Sequence, residues 1–353
     1  MSKPKRILVT GHDGYIGSVM APHLAAAGFD VVGLDTGYFS ECSLIPDLGS
    51  VPAIKKDLRD LAASDLQGFD AVVHLAALSN DPIGNLNDSW TEEINYLGSV
   101  KLAELARAAG VSRFLFSSSC IMYGSADALV VTEDSPLDPK TEYARSKVKA
   151  ERALSALANE NFSPVCVRNG TIYGVSPRMR FDTVLNDFMG SAATIGKVVI
   201  YSDGKPWRPV MHVQDVARYF QAILEAPREK IHNQAFNAGA NDLNHQILEL
   251  AEIAVRTVPG AKLERLPKPG ADQRTYKADF GKFARTFPDF RFKWNAVSGA
   301  AELFDAFERA GLTHDDYTNK KFTRLKWLRY LLDSGRLDGA LRWSKNGRTE
   351  TKQ

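Results

Sequence analysis

The sequence predicts an α/β protein built on a doubly wound parallel sheet, followed by a smaller mixed α/β part. Two observations predict this class: short continuous apolar runs, and helix-like segments that separate them. The chain has 353 residues, of which 44% are hydrophobic and 24% charged. This composition is ordinary for a folded globular protein and excludes the disordered and collagen-like classes. At this length we expect about two domains or one large unit.

The first 174 residues alternate predicted strands and helices. Apolar runs without polar alternation are typical of strands buried on both faces of a parallel sheet. The expected strands are 6–10, 30–34, 71–75, 113–117 and 164–168. The expected helices are 14–27, 88–109 and 141–160, the first two ending at Gly28 and Gly110. Strands and helices of this length predict right-handed crossovers and a Rossmann-like domain over residues 1–174.

Beyond residue 174 the alternation weakens. Pro, Gly and Arg accumulate at 175–180 and 203–209, as is typical of loops that face a ligand. Helices are expected at 214–226, 245–257 and 297–310. We expect residues 175–311 to bind mainly substrate, with some segments returning to the first domain, and residues 312–353 to form an extension.

Charge and special residues exclude several functions. No apolar run reaches the length of a membrane span, and the first six residues lead into a strand without a signal-peptide pattern, so a cytoplasmic location is expected. Three cysteines and seven histidines show no metal-ligand spacing, so no metal site is expected. The net charge of +2 gives no sign of nucleic-acid binding.

A glycine motif follows the first predicted strand and opens the first helix. Its residues are Gly11, Gly14, Tyr15, Ile16 and Gly17. Glycines here permit a tight turn, so a pyrophosphate can approach the helix N-terminus closely. Asp35 ends the second strand, where a carboxylate accepts from the adenosine ribose and repels a 2′-phosphate. This favours NAD over NADP, with a solvated capping aspartate as the alternative.

Tyr143 and Lys147 stand four residues apart on a predicted helix and therefore share one face. A lysine beside a tyrosine lowers the phenol pKa from about 10, as a general base at neutral pH requires. Ser117, Ser118 and Ser119 stand at the end of the fourth predicted strand, and ligands lie at such strand ends. A chance surface pair is the alternative for the tyrosine and lysine.

These motifs, in this order, resemble the extended short-chain dehydrogenase/reductase family, in particular its NAD-dependent nucleotide-sugar epimerases and dehydratases. The resemblance covers most of residues 5–285. It rests on the glycine motif, His74-Leu75-Ala76-Ala77, the segment 117–124, Tyr143-x-x-x-Lys147, and the later segments 168–174, 208–215 and 272–276.

The resemblance implies a role for each motif residue. Tyr143 would remove a sugar hydroxyl proton, Ser119 would hydrogen-bond that oxygen, and Lys147 would bind the nicotinamide ribose, while hydride passes to NAD. Ser119 is chosen because it stands five residues before Gly124. The further cofactor contacts implied are Asp57 and Leu58 at the adenine, Ala76 and Ala77 beside the nicotinamide ribose, Leu75 before them, and Asn95 near the cofactor or the active-site helix.

Four arginines are expected to hold a nucleotide diphosphate, because guanidinium groups match phosphate oxygens bidentately. They are Arg178, Arg180, Arg208 and Arg274. Solvated loop arginines are the alternative, which we favour less for Arg208 and Arg274 because both lie in family-like motifs. Thr171, where many members have asparagine, and Ser79, in a Pro-containing turn, are the other expected substrate contacts.

Besides Thr171, the residues after Ser119 depart from the family's pattern in a way that bears on the reaction. The family's 4,6-dehydratases carry an Asp-Glu pair after the catalytic serine or threonine, and its decarboxylases a glutamate in this segment. Here the positions hold Cys120 and Ile121. We therefore expect epimerisation through a transient keto sugar, or else reduction of a keto sugar. A dehydratase or a non-catalytic scaffold is less favoured. The resemblance also implies a homodimer, formed by helices 88–109 and 141–160.

The C-terminal extension lies outside the resemblance. Residues 320–353 contain ten basic and three acidic residues, interleaved with apolar ones as in an amphipathic helix. We expect this helix to dock on its own subunit or a dimer mate with its basic face in solvent. Contact with an anionic membrane surface or an acidic partner is the alternative.

Overall fold

The structure, a computed structural model, describes residues 4–79, 87–124, 130–266 and 275–344. A seven-stranded parallel sheet, in the order β11-β7-β5-β4-β1-β2-β3, is its largest element. The predicted α/β class with a Rossmann-like, doubly wound sheet is confirmed. The strands are β1 (Arg6–Thr10), β2 (Asp30–Asp35), β3 (Ala53–Lys55), β4 (Ala71–His74), β5 (Arg113–Ser119), β6 (Val130–Val131), β7 (Ser163–Asn169), β8 (Thr171–Tyr173), β9 (Lys197–Ile200), β10 (Trp207–His212), β11 (Gln234–Ala238), β12 (Asn244–Gln246), β13 (Lys262–Arg265) and β14 (Lys277–Ala278).

Helices cover both faces of this sheet, since its strands are apolar on both sides. They are α1 (Gly17–Ala26), α2 (Asp88–Thr91), α3 (Gly98–Ala108), α4 (Glu142–Ala156), α5 (Val184–Ile195), α6 (Val213–Glu225), α7 (Arg228–Ile231), α8 (Ile247–Thr257), α9 (Gly281–Thr286), α10 (Ala296–Ala310), α11 (His314–Thr318) and α12 (Arg324–Asp333). A π-helical segment, Glu92–Leu97, joins α2 to α3.

The strand order reverses at β1, which lies between β2 and β4. Ligands of doubly wound sheets bind in the crevice at such a reversal, beyond the carboxyl ends of the strands. Thr10 ends β1 opposite His74, which ends β4, and the Thr10 hydroxyl lies 2.7 Å from Nδ1 of His74. The loops that follow these two strands therefore open into the same crevice.

Two apolar clusters hold helices on the sheet. On one face Leu102 of α3 and Leu154 of α4 pack with Phe114 of β5. On the other face Leu24 of α1 and Phe220 of α6 pack on the remaining side of the sheet. These side chains are fully buried, so both faces of the strands are removed from water.

Residues beyond 174 form a second layer above the crevice. Helices α5, α8 and α10 pack together through Leu185, Leu250 and Leu303. Part of this stretch returns to the first sheet, because β11 pairs with β7 and α6 packs on the sheet face. The domain boundary at residue 174 remains a prediction.

The C-terminal extension docks on its own subunit. Trp327, Leu328 and Leu331 of α12 are buried in the cluster that covers one sheet face. The docking interpretation is therefore confirmed, and the apolar face of α12 is not available to a membrane. The expectation that the basic face lies in solvent is wrong for Arg324, of which only 2% is exposed.

The described residues contain neither a membrane-spanning helix nor a cluster of metal-ligating side chains. None of the helices in these ranges is long and apolar enough to cross a membrane. Within the same ranges, no group of three or more His, Cys, Asp or Glu side chains is placed to hold a metal ion.

Candidate active site

Two adjoining cavities open at the crevice. The first, here called the cofactor cavity, extends from the glycine motif to the turn after β2 and to the residues after β4. The second, the substrate cleft, has a volume of about 700 Å³ and extends between the end of β5 and the second layer. Both are lined by Tyr15, Ile16, Ser79 and Arg180, so they meet at these residues.

The glycine motif fits a closely approaching dinucleotide backbone. Gly11 has φ +74°, and a Cβ there would lie 2.7 Å from the Ala76 nitrogen. A Cβ on Gly17 would lie 2.5 Å from the His12 Cα. Neither position accepts a side chain, which leaves the N-terminus of α1 open toward the cavity, as pyrophosphate binding requires.

Asp35 lies at the end of β2 in the cofactor cavity, where the sequence places a ribose acceptor. Its carboxylate accepts from the backbone N–H groups of Gly37 at 2.8 Å and of Asp13 at 3.2 Å. Burial raises the pKa of Asp35, and the nearby Asp13 carboxylate adds to the effect. The position fits the predicted preference for an unphosphorylated ribose.

The other predicted cofactor residues fall into two groups. Asp57, Leu58, Leu75, Ala76 and Ala77 line the cofactor cavity. Asn95 lies behind the cavity instead: its side chain accepts from the Leu78 N–H at 2.8 Å and donates to the Leu78 oxygen at 3.0 Å. Asn95 thus holds the loop after β4 in place.

Tyr143 and Ser119 both line the substrate cleft, and Lys147 is buried one helical turn below Tyr143. Nζ of Lys147 lies 5.7 Å from the Tyr143 ring centroid and donates to the Ser117 carbonyl at 2.6 Å. Burial lowers the pKa of Lys147 to about 8. The ammonium of Lys147 therefore places a buried positive charge close to the Tyr143 ring.

The residues after Ser119 offer little acid or base chemistry. Cys120 is fully buried, and its thiol lies 3.1 Å from the Arg168 carbonyl oxygen. Burial raises the pKa of this thiol above its ordinary value. Ile121 lines the substrate cleft with an apolar side chain.

The predicted substrate residues divide between the cleft and its surroundings. Ser79, Thr171, Arg180 and Arg208 line the substrate cleft. Arg178 does not line either cavity, and its guanidinium pairs with Asp13 at 2.5 Å and Asp47 at 2.7 Å. It thereby ties the glycine motif to the second layer. Arg274 lies outside the described residues.

Sequence reasoning missed several residues of both cavities. Tyr38, Phe39 and Arg324 line the cofactor cavity, and Asp182, Asp187, Tyr201 and Tyr276 line the substrate cleft. Burial raises the pKa of Asp187, whose carboxylate accepts from the Tyr317 hydroxyl at 2.7 Å. Tyr276 ends the family-like segment 272–276, whereas the other positions carry no motif and are brought to the cavities only by the three-dimensional packing.

A doubly wound sheet, a glycine-lined cavity at its reversal of strand order, and Ser119, Tyr143 and Lys147 in or beside the adjoining cleft are typical of nicotinamide-dependent enzymes of the short-chain dehydrogenase/reductase type. The sequence model of the NAD dependent epimerase/dehydratase family matches residues 7–239. The chain therefore belongs to this NAD-dependent family, which confirms both the resemblance and NAD as the cofactor.

Relatives within this family differ in their reactions. UDP-glucose 4-epimerase of Corynebacterium glutamicum is 27% identical over 296 residues, covering 78% of this chain and 88% of the relative. UDP-glucuronic acid decarboxylase 1 of Arabidopsis thaliana is 27% identical over 323 residues, covering 89% and 72%. The solved structure of the NAD-dependent NDP-hexosamine 5,6-dehydratase TunA gives a TM-score of 0.77 at 26% identity, covering 86% of this chain and 98% of TunA. The family thus comprises nucleotide-sugar epimerases, decarboxylases and dehydratases.

Proposed function

We propose that this protein is an NAD-dependent nucleotide-sugar epimerase that acts through a transient keto sugar. The observation that carries the proposal is the composition of the substrate cleft beside Ser119. Tyr143, Ser119 and Lys147 are positioned for reversible hydride transfer, whereas Cys120 and Ile121 occupy the positions after the serine. These residues thus supply the groups needed to oxidise and reduce a sugar carbinol, and Cys120 and Ile121 add no carboxylate as a further acid or base.

Each catalytic residue has a defined task in this proposal. Tyr143 takes the proton of a sugar hydroxyl, and Ser119 donates a hydrogen bond to the oxygen that is left. Lys147, whose Nζ lies 5.7 Å from the Tyr143 ring centroid, stabilises the phenolate and binds the nicotinamide ribose. Bound NAD supplies the hydride acceptor and, in the return step, the donor. The cleft of about 700 Å³ gives the keto sugar room to turn before Tyr143 returns the proton.

Dehydration and decarboxylation each call for an acid or base besides the tyrosine. Among the described residues, Asp182 and Asp187 are the carboxylates that line the substrate cleft. Although burial opposes ionisation, Arg180 lowers the pKa of Asp182, and these two side chains pair at 2.5 Å. Asp187 accepts from Tyr317. Both carboxylates are therefore engaged by other side chains, which supports the epimerase.

The substrate side of the proposal is a nucleoside-diphosphate sugar. Arg180 and Arg208 in the cleft supply guanidinium groups for the diphosphate, and Thr171 and Ser79 supply hydroxyls for the sugar. Arg274 is proposed as a further diphosphate contact from outside the described residues. Arg178, paired with Asp13 and Asp47, is better explained as a structural ion pair.

The first experiment identifies the dinucleotide that the denatured protein releases, by mass spectrometry. Near-stoichiometric NAD or NADH is expected, because an epimerase regenerates its cofactor within each turnover. A screen of UDP-, dTDP- and GDP-sugars then follows conversion of each isomer without added cofactor. An empty protein that consumes NADPH with a keto sugar would instead support the alternative, a keto-sugar reductase.

Tyr143→Phe tests the catalytic assignment directly. Loss of the general base is expected to lower kcat about 10²- to 10⁴-fold, while nucleotide-sugar binding is retained. Tyr330→Phe, on α12 and away from both cavities, removes the same hydroxyl as a matched control. Equal activity of Tyr143→Phe and wild type would overturn the assignment, and equal inactivity of both variants would point to misfolding.

A homodimer in the cytoplasm completes the proposal. Helices α3 and α4 lie side by side on one sheet face, and Leu97, just before α3, is 51% exposed. Light scattering after size exclusion should give twice the 38.9 kDa chain mass. Cys42, Cys120 and Cys166 are all free and buried, which fits a reducing compartment.

A further inference from the structure

Arg324, in the C-terminal extension, lines the cofactor cavity. It is the first residue of α12, and only 2% of it is exposed. The guanidinium carbon lies 4.4 Å from the ring centroid of Phe39, another residue of the cavity lining. One terminal nitrogen, Nη2, donates to the Arg178 carbonyl at 2.6 Å.

The other terminal nitrogen of this side chain, Nη1, is buried and has no hydrogen-bond partner among the residues that the structure describes. A buried charged donor without a partner is costly, so its presence calls for an explanation. Burial, together with the nearby Arg180, lowers the pKa of Arg324 to about 10, which still leaves the group protonated at neutral pH. The cavity therefore holds a buried cation whose hydrogen bonding is incomplete.

The charges around Arg324 leave this end of the cavity positive. Asp182 pairs with Arg180 at 2.5 Å and also accepts from the backbone N–H of Arg324 at 3.2 Å. Asp182 therefore pairs with the guanidinium of Arg180 and contacts only the backbone of Arg324. The guanidinium of Arg324 donates to the carbonyl of Arg178, whose own guanidinium pairs with Asp13 in the glycine-motif turn.

We propose that Arg324 binds the pyrophosphate of the dinucleotide, so that the C-terminal extension completes the cofactor site opposite the N-terminus of α1. A guanidinium fork matches phosphate oxygens, and a pyrophosphate supplies an acceptor for Nη1 of Arg324, which has none among the described residues. The inference rests on the dinucleotide part of the proposed function and is independent of the reaction assigned to the substrate cleft.

The C-terminal extension is anchored to the segment after β2, which lines the cofactor cavity. Nε1 of Trp327 donates to the Tyr38 carbonyl and Nε1 of Trp343 to the Thr36 carbonyl, each at 2.7 Å. Tyr38 in turn donates through its hydroxyl to the Leu341 carbonyl. The segment 36–39, which follows β2 and lines the cofactor cavity, is therefore held from outside by the same extension that supplies Arg324.

The test compares wild type with Arg324→Gln by calorimetric titration of ligand-free protein with ADP and with adenosine. We expect Arg324→Gln to bind ADP at least about tenfold more weakly, as the loss of a charge-assisted hydrogen bond predicts, and adenosine as wild type does. Arg329→Gln, which removes an exposed arginine from the same helix, should leave both affinities unchanged.

Other outcomes would overturn the proposal. An equal loss for ADP and adenosine, with a lower melting temperature, would make Arg324 a structural residue. If Arg324→Gln weakened the binding of 2′-phosphorylated ADP alone, Arg324 would contact a phosphate on the adenosine ribose and not the pyrophosphate. If the variant weakened the binding of UDP alone, Arg324 would contact the substrate diphosphate in the substrate cleft. The ADP and adenosine titrations contain no sugar and follow no reaction. Their results are therefore interpretable even if the protein shows no epimerase activity.

A second measurement on the wild type remains informative if Arg324→Gln does not fold. Hydrogen exchange of residues 324–333 should slow when ADP is added and stay unchanged with adenosine at equal occupancy. Binding of ADP with no change in this helix would contradict the proposal.

Discussion

The buried lysine beneath the catalytic tyrosine is expected to destabilise the fold that carries it. Lys147 is 3% exposed, and its ammonium contacts one carbonyl oxygen and the face of Phe116, 4.5 Å from the ring centroid. Replacing it with methionine keeps a linear side chain of similar length and removes the charge. We predict that Lys147→Met is inactive and yet more stable than wild type at pH 7.

The magnitude follows from the lysine pKa. Burial lowers it from 10.5 to about 8. Since one pKa unit corresponds to about 1.4 kcal/mol, the protonated side chain costs the folded state about 3 kcal/mol at pH 7. Loss of the hydrogen bond to Ser117 offsets about 1 kcal/mol. The free energy of unfolding of Lys147→Met should therefore exceed that of wild type by about 2 kcal/mol.

The pH dependence gives a sharper test than the magnitude. Between pH 8 and 10.5 the folded wild type binds fewer protons at Lys147 than the unfolded chain, so its stability rises with pH through that window. The variant lacks this group. The difference in free energy of unfolding between Lys147→Met and wild type is therefore largest below pH 8. It should decrease by about 2 kcal/mol between pH 7 and pH 10.

Urea unfolding of the ligand-free proteins, followed by tryptophan fluorescence at pH 7 and pH 10, measures both quantities. Lys149→Met, on the same helix, serves as the matched control because Lys149 is largely exposed and paired with Glu92. It should change stability by less than about 1 kcal/mol. If Lys147→Met is less stable than wild type at pH 7, or if its advantage does not change with pH, the reasoning about burial is wrong.

Three further substitutions test the glycine motif, the extension and a buried ion pair. Gly17→Ala should abolish detectable ADP binding in calorimetry, because the added methyl would lie 2.5 Å from the His12 Cα; unchanged affinity would mean that the loop is not closely packed. Trp327→Ala should lower the free energy of unfolding by about 3–5 kcal/mol, as for other large buried aromatics, and a loss below about 1 kcal/mol in urea titration would show that α12 is only loosely docked. Arg168→Leu leaves the buried Glu151 carboxylate without its 2.7 Å partner, so a loss of about 3–5 kcal/mol is expected by the same titration, relieved in part by adding Glu151→Gln.

The parts of the site that lie in local sequence patterns could be predicted. Gly11 and Gly17 follow a strand and open a helix, and this local order alone specifies a phosphate-binding turn. The spacing of Tyr143 and Lys147 likewise puts both on one helical face, as the structure shows. Strand bounds such as 6–10 are reproduced because a continuous apolar run allows few other structures.

The parts that depend on distant partners could not be predicted. Arg178 is of a residue type that often binds phosphate, but its guanidinium forms ion pairs with Asp13 and Asp47. The sequence around position 178 does not indicate these distant partners. The sequence predicts Asn95 near the cofactor or the active-site helix but does not show that its partner is the backbone of Leu78, which lines the cofactor cavity. Arg324 stands among basic residues that the sequence predicts to face solvent, because the pattern of its helix does not show which arginine faces the core.

The contact of Tyr38 with Leu341 joins residues 303 positions apart. The strands and the glycine motif are synthesised early, yet the outer wall of the cofactor cavity is complete only after the last turn of the extension has left the ribosome. The cofactor cavity therefore acquires its complete wall only when the chain as far as Leu341 has folded onto the Rossmann-like sheet. For the same reason, a fragment limited to residues 7–239, which the family model matches, would expose the apolar surface that Trp327 covers. We expect such a fragment to aggregate when it is expressed.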